Sequence, residues 1–242
     1  CVSSGQEPAA AEVIRKACAD KKCRLYEVGR DIHFREERFD GSSSRQQAFS
    51  VSGISGKYPF LKIGLLGDHQ LMNAATAIGL VESLRFYDII VSYNSIRDGL
   101  KKVNWPGRLQ VLKEAPLVVL DGAQNRASAA ALSKAVKRFF KYDRLILVLG
   151  ISKDKDIKGV CEELQDISSE IILTRADIPR AAEPGIIKNY FNKPARLTGR
   201  VEEALGLAQE MAGPTDLILI TGSFFVLGEA VAKAKMPELN YA

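Results

Sequence analysis

The hydrophobic positions of this chain change rhythm near its middle. Up to about residue 106, short alternating stretches and amphipathic periods dominate, and beyond that point uninterrupted apolar runs recur. Residues 8–20 read as a helix with Ala11, Val13, Ile14 and Ala17 on one side. The pieces "RLYEVG", "DIHFREERF", "AFSVSGI" and "PFLKIGLLG", interrupted by a Gly/Ser-rich gap at 41–44, alternate as antiparallel strands with one wet face do. "GDHQLMNAATAIGLVESL" then takes up helical spacing through Leu71, Ala74, Ala75, Ile78 and Val81, with Asp68 as the expected N-cap. A further helix is expected over roughly 93–103, carrying Ile96, Leu100 and Val103. Its Lys101 and Lys102 suit the negative end of the helix dipole. Pro106-Gly107 in "NWPGRL" halts both helix and strand, which makes it the best domain boundary.

Past that boundary the pattern predicts strands at 117–120, 144–149, 170–174 and 216–221, all continuous apolar runs. Helices are expected near 126–141, 156–166, 183–191 and 201–212, with a last one after "TGSFF". In the first of these, Leu132, Ala135, Val136, Phe139 and Phe140 form the inward face. Strands apolar on both faces, alternating with helices, predict a parallel sheet covered on both sides. The expected fold class is α/β: a Rossmann-like, mostly parallel sheet with helices on both faces over 107–242, preceded by a separate unit over 1–106.

Composition narrows the function classes. The chain has 242 residues, 46% hydrophobic and 26% charged, the balance of a soluble globular protein. No apolar run is long enough to cross a bilayer, and the start lacks a signal peptide's charged-then-apolar layout. Net charge is +5, from 34 basic and 29 acidic residues scattered along the chain. That mild excess argues against nucleic acid as a partner and suits small anionic substrates equally well. Cys1, Cys18, Cys23 and Cys161 show no C-x-x-C spacing and only two histidines are present. The expectation is reduced thiols in a cytoplasmic protein, with no metal cluster. The opening "CVSSGQEPAA" has no Met and begins as if in mid-strand, which reads as a fragment.

Ligands of open parallel sheets sit beyond the carboxyl ends of the strands, which here read "LDGAQN", "LGISKDKD", "LTRAD" and "ITGSFF". Asp121 stands where a functional carboxylate would, although Asp121-Gly122 also reads as a plain turn with Asn125 as an N-cap. His69 and Asn73, at i and i+4, share one polar helix face near an N-terminus suited to a phosphate. The plainer reading is a capping histidine and a solvent-facing asparagine. Arg108 follows the Pro-Gly hinge, from which forked donors can reach a phosphate; a surface arginine is the alternative. Ser223 could cradle a carboxylate or simply cap the last helix, and Lys155 in the charged "SKDKD" loop could steer an acidic substrate.

The order of these blocks carries more than any one of them. "LLGDHQLMNAATAIGLVESL", "VNWPGRLQVL", "VVLDGAQN", "GISKDKD" and "ITGSFFVLGE" together resemble the folylpolyglutamate synthase/dihydrofolate synthase family of the Mur-ligase superfamily. The resemblance implies an ATP- and Mg2+-dependent ligase that joins L-glutamate to a folate or dihydropteroate carboxylate through an acyl phosphate. It implies that Asn73 contacts the adenine end, Arg108 the phosphates and Asp121 the ribose or phosphate region. His69 is the lesser candidate in the same helix motif, and Ser223 is similar to the serine that holds the incoming amino acid's carboxylate. Partners would be these small molecules, with no membrane, and family members are commonly monomers.

Two departures stand out. Where the family has Asp-Gly-Ala-His-Asn-Pro, this chain has Gln124-Asn125-Arg126; Gln124 can donate and accept hydrogen bonds but carries no charge and no aromatic ring, and Arg126 is a candidate for compensating charge. The family's phosphate-binding loop G-x-x-x-x-G-K-[ST] is absent from this sequence, as are the magnesium ligands, which lie upstream in family members. The resemblance therefore reads 1–106 as the tail of the ATPase domain and 107–242 as an intact C-terminal domain, inactive in ligation by themselves. The competing readings are a peptidoglycan-precursor ligase of the same superfamily and a non-catalytic nucleotide- or amino-acid-binding module.

Overall fold

The structure is a computed structural model that describes residues 1–38 and 45–233; the Gly/Ser-rich stretch at 41–44 lies outside the described residues. The chain divides into two compact units, Cys1–Asn104 and Trp105–Ala242.

The first unit opens with β1 (Val2–Ser3), α1 (Pro8–Asp20) and β2 (Tyr26–Glu27). The two strands pair in parallel, Val2 opposite Tyr26. "RLYEVG" thus departs from the expected antiparallel set, because the crossover through α1 returns the chain in the same direction. The remaining strands, β3 (His33–Glu37), β4 (Gln47–Ser52) and β5 (Lys57–Ile63), form the antiparallel sheet in the order β3-β4-β5. α2 (Asp68–Ser83) and α3 (Tyr93–Lys102) follow. Phe49, Leu61, Leu71, Ala75 and Ile78 pack at the centre, each contributing to stability on the order of 1–3 kcal/mol according to size.

Two helix details differ from expectation. Ala11 and Cys18 are the buried positions of α1, whereas Val13 is 69% exposed and Ala17 faces water, so its inward stripe follows i, i+7 through Ile14. Asp68 is the first helical residue of α2, and Gly67 occupies the cap with φ +110°, a conformation open to glycine.

The second unit is a six-stranded sheet in the order β10-β9-β8-β11-β7-β6. It comprises β6 (Gln110–Glu114), β7 (Leu117–Asp121), β8 (Leu145–Leu149), β9 (Glu170–Leu173), β10 (Arg196–Leu197) and β11 (Leu217–Thr221). All neighbours are parallel except β6, an antiparallel edge strand. Helices α4 (Arg126–Phe139), α5 (Ile157–Gln165), α6 (Pro184–Lys188), α7 (Val201–Met211) and α8 (Phe224–Lys233) connect or follow the strands. One set of alternating strand residues, Val118, Ile146, Val148, Ile172 and Ile220, packs with Val201, Ala204, Val226 and Leu227 of α7 and α8. The other set, including Val119, Leu147 and Leu219, is fully buried as well, as are Leu132, Val136, Val160 and Leu164 of α4 and α5. Both faces of the sheet are covered, which is why its strands read as unbroken apolar runs.

Each unit holds one buried thiol, Cys18 in α1 and Cys161 in α5, while Cys1 and Cys23 are exposed. No disulfide joins the four.

Candidate functional site

Five of the seven candidate residues lie in the second unit, four of them along or beside the carboxyl ends of β7 and β11. Asp121 closes β7, opposite Thr221 at the end of β11. Its Oδ2 accepts a hydrogen bond from the Leu109 amide at 3.0 Å and its Oδ1 one from the Ala123 amide at 2.9 Å. The Gly122 amide donates to the Gly107 carbonyl at 2.8 Å, so the segment after the Pro-Gly joint is tied to the end of β7 at two points. The residue is partly covered but its carboxyl group is enclosed, and this burial pushes its pKa up to about 6, against the lowering effect of the two amides and nearby Arg108.

Arg108 is half-buried with its guanidinium over the Phe224 ring, 4.9 Å from the centroid. Among the described residues it makes no hydrogen bond and no ion pair. Its donors are therefore uncommitted beside an enclosed carboxylate. A cation held in this way can receive an anionic oxygen without first breaking a protein contact.

Ser223 is buried between β11 and α8, and its Oγ accepts from the Phe225 amide at 3.2 Å. This is the capping geometry of a helix start, and the hydroxyl proton remains to be donated. Before it, Gly222 has φ +102°, and a Cβ there would stand 2.6 Å from the Gly150 carbonyl oxygen. The ends of β8 and β11 approach too closely for a side chain at that position.

Gln124 follows in the turn out of β7, with its amide donating to Ser128 Oγ at 3.1 Å. Asn125 caps α4 in a reciprocal box with Ser128, which bears out the capping reading of Asn125. Arg126, the candidate for compensating charge, pairs with Glu163 at 3.1 Å and Glu162 at 3.4 Å on α5. Lys155 lies in the loop after β8 and turns onto Asp154 at 3.5 Å. Beyond β8 and β9 a cavity of about 390 Å³ is lined by Lys153, Arg175, Asp177, Pro179 and Glu183, none of which stood out in the sequence.

The other two candidates, His69 and Asn73, belong to the first unit. Both are exposed on the first turns of α2, and Asn73 Nδ2 donates to Oε1 of the buried Gln70 at 3.1 Å. Phe224, the first residue of α8, was not among the candidate residues. The signal available was "SFF", two large apolar residues at a helix start where polar ones are the rule. No group of three or more His, Cys, Asp or Glu side chains among the described residues could hold a metal ion, and no described helix is long and apolar enough to cross a membrane.

Comparison with known proteins adds a consistent pattern. Residues 107–224 match the family described as Mur ligase, glutamate ligase domain. The chain is 34% identical over 196 residues to a probable bifunctional folylpolyglutamate synthase/dihydropteroate synthase of Haloferax volcanii, covering 79% of this chain and 23% of that one. It is 27% identical over 242 residues to the dihydrofolate synthase/folylpolyglutamate synthase of Bacillus subtilis, covering 97% and 54%. Among solved structures, Escherichia coli FolC in complex with DHPP and ADP superposes with a TM-score of 0.79 at 26% identity, over 96% of this chain and 52% of that one. The chain thus spans about half the length, or less, of these relatives.

Proposed function

Because the chain belongs to the folylpolyglutamate synthase/dihydrofolate synthase family of the Mur ligases, we propose that it forms part of an ATP-dependent ligase adding L-glutamate to folate, to dihydropteroate, or to both. The observation that carries this reading is the state of Arg108. It is half-buried at the carboxyl edge of a parallel sheet, beside Asp121, with its guanidinium donors unspent.

These residues fit the phosphate end of a nucleotide. Joining an amine to a carboxylate requires the carboxylate to be activated, and ATP supplies that activation when bound. This chain's part is to bind and orient. Arg108 receives phosphoryl oxygens, and Asp121, fixed by the Leu109 and Ala123 amides, keeps the arginine's backbone segment in register with the sheet. Ser223 has a hydroxyl proton to offer a carboxylate at the start of α8.

Titration calorimetry with ADP tests the reading. The 242-residue chain should bind with a Kd of micromolar or weaker, on the order of −8 kcal/mol at most, and Arg108→Ala should weaken binding about tenfold or more while leaving it measurable. The natural polypeptide carrying these residues should consume ATP when given glutamate and folate or dihydropteroate. Turnover with a UDP-sugar precursor, and none with folates, would overturn the substrate assignment.

A further inference from the structure

We propose that Phe224 is a positioning residue for Arg108: its ring holds the guanidinium in place for an anionic ligand while leaving every N–H of that group uncommitted. The proposal rests on the nucleotide reading of Arg108 given above.

Three blocks far apart in sequence meet on this one ring. Arg108 lies over it at 4.9 Å from the centroid. A Cβ on Gly107, whose φ is +73°, would stand 3.1 Å from Phe224 Cε1 and 2.9 Å from Leu227 Cδ2. A Cβ on Gly122 would fall inside the ring's van der Waals envelope. "WPGR", "LDGA" and "GSFF" therefore interlock: the glycines on either side of the tie between 107 and 122 are the space the ring occupies. Phe224 nonetheless keeps 42% of its surface exposed, so it is a platform rather than a core residue.

The chemistry explains why a ring is useful there. A carboxylate partner would also hold an arginine, but would spend its donors and cancel its charge. The face of a phenyl ring attracts the cation through its quadrupole and accepts no conventional hydrogen bond. Arg108 is close enough for its charge to oppose the upward shift that burial imposes on Asp121, yet no ion pair forms between them. The neighbouring pair, Arg180 over Phe225 at 4.9 Å, provides an internal comparison, because no glycine close approach fixes the Phe225 ring.

The test uses Phe224→Leu and Phe224→Met, which keep bulk and lose the π face, Phe224→Tyr, which keeps it, and Phe225→Leu as a control. Two readouts are taken on each folded variant: the side-chain NMR resonances of Arg108, assigned with Arg108→Lys, and ADP affinity by calorimetry. Leu and Met at 224 should remove the ring-current shift of Arg108 and weaken ADP about three- to tenfold. Tyr should restore both to within about twofold, and Phe225→Leu should change neither. In an Arg108→Ala background, Phe224→Leu should have no further effect on ADP. Unshifted Arg108 resonances in Phe224→Leu, or full additivity of the two substitutions, would overturn the proposal. If Arg108→Ala itself leaves ADP binding unchanged, the nucleotide reading fails, and with it the functional half of this proposal; the resonances then report only on the stacking.

Discussion

Each unit of this protein encloses a carboxylate bonded to backbone amides, and the two are held very differently. Glu82, near the end of α2, accepts from the amides of Ile54, Ser55 and Gly56, from Ser55 Oγ and from Tyr58 OH. Five donors reach this carboxylate, four on Oε1 and the Ile54 amide on Oε2, and they clamp the β4–β5 turn onto the helix. Asp121 accepts one amide on each oxygen and has a cation nearby that does not pair with it. The first carboxylate is a structural knot, buried and held by five donors from one turn and its flanking strand. The second retains acceptor capacity at a sheet edge, beside an arginine whose donors are unspent.

The largest expected effect follows from the knot. Glu82→Ala strands three amides and a buried tyrosine hydroxyl, and should destabilise the first unit by roughly 3–5 kcal/mol in urea unfolding. Asp121→Ala should cost the second unit only about 1–2 kcal/mol. Equal losses would erase the contrast.

Next in size is a pH effect. Asp121 has a folded pKa of about 6 against an ordinary value of 3.8, so between these values the folded state holds a proton that the unfolded state has released. Stability contributed at this site is greatest below pH 4, falls as pH rises through 4 to 6 and is level above that. The expected span is about 3 kcal/mol. The difference between wild type and Asp121→Asn, measured by denaturant titration at each pH, should show that slope; a flat difference would mean the carboxylate is not enclosed.

Gly122→Ala comes third, at about 2 kcal/mol, because its methyl group must displace the Phe224 ring. Combining it with Phe224→Leu should recover part of the loss, as thermal unfolding would report. The smallest effect is expected from Gln124→His. The Asn125–Ser128 box holds the backbone of this turn whatever the side chain, so ADP affinity should move less than about twofold. A larger gain would show that the family's histidine acts through its own ring.

Much of the fold was legible in residue patterns. The runs at 117–121, 145–149 and 217–221 could only be doubly buried strands, and Leu71, Ala74, Ala75 and Ile78 could only be one helix face. β6 was missed because "QVLKE" is an edge strand with half-exposed residues, directly after a Pro-Gly stop. β2 was misread because two residues carry no sign of strand direction. Of the site, the strand-end positions of Asp121 and Ser223 were readable from the alternation. What Arg108 touches was not, since its partner lies 116 positions downstream and phenylalanine usually signals core. Glu82 was equally silent: a glutamate on an amphipathic helix reads as solvated, and its donors are backbone groups that no residue type announces.

The placement of the thiols makes the contrast between units measurable in one tube. Burial pushes the Cys161 thiol up to about 12, with Asp156 and Glu162 adding to the effect, so it is inert to alkylation while α5 stays packed. Cys18 is shielded in α1, whereas Cys1 and Cys23 stand open to reagent. Mass-resolved trapping would capture the open pair first, then time the release of Cys18 and Cys161 as separate clocks for the opening of each half of the chain.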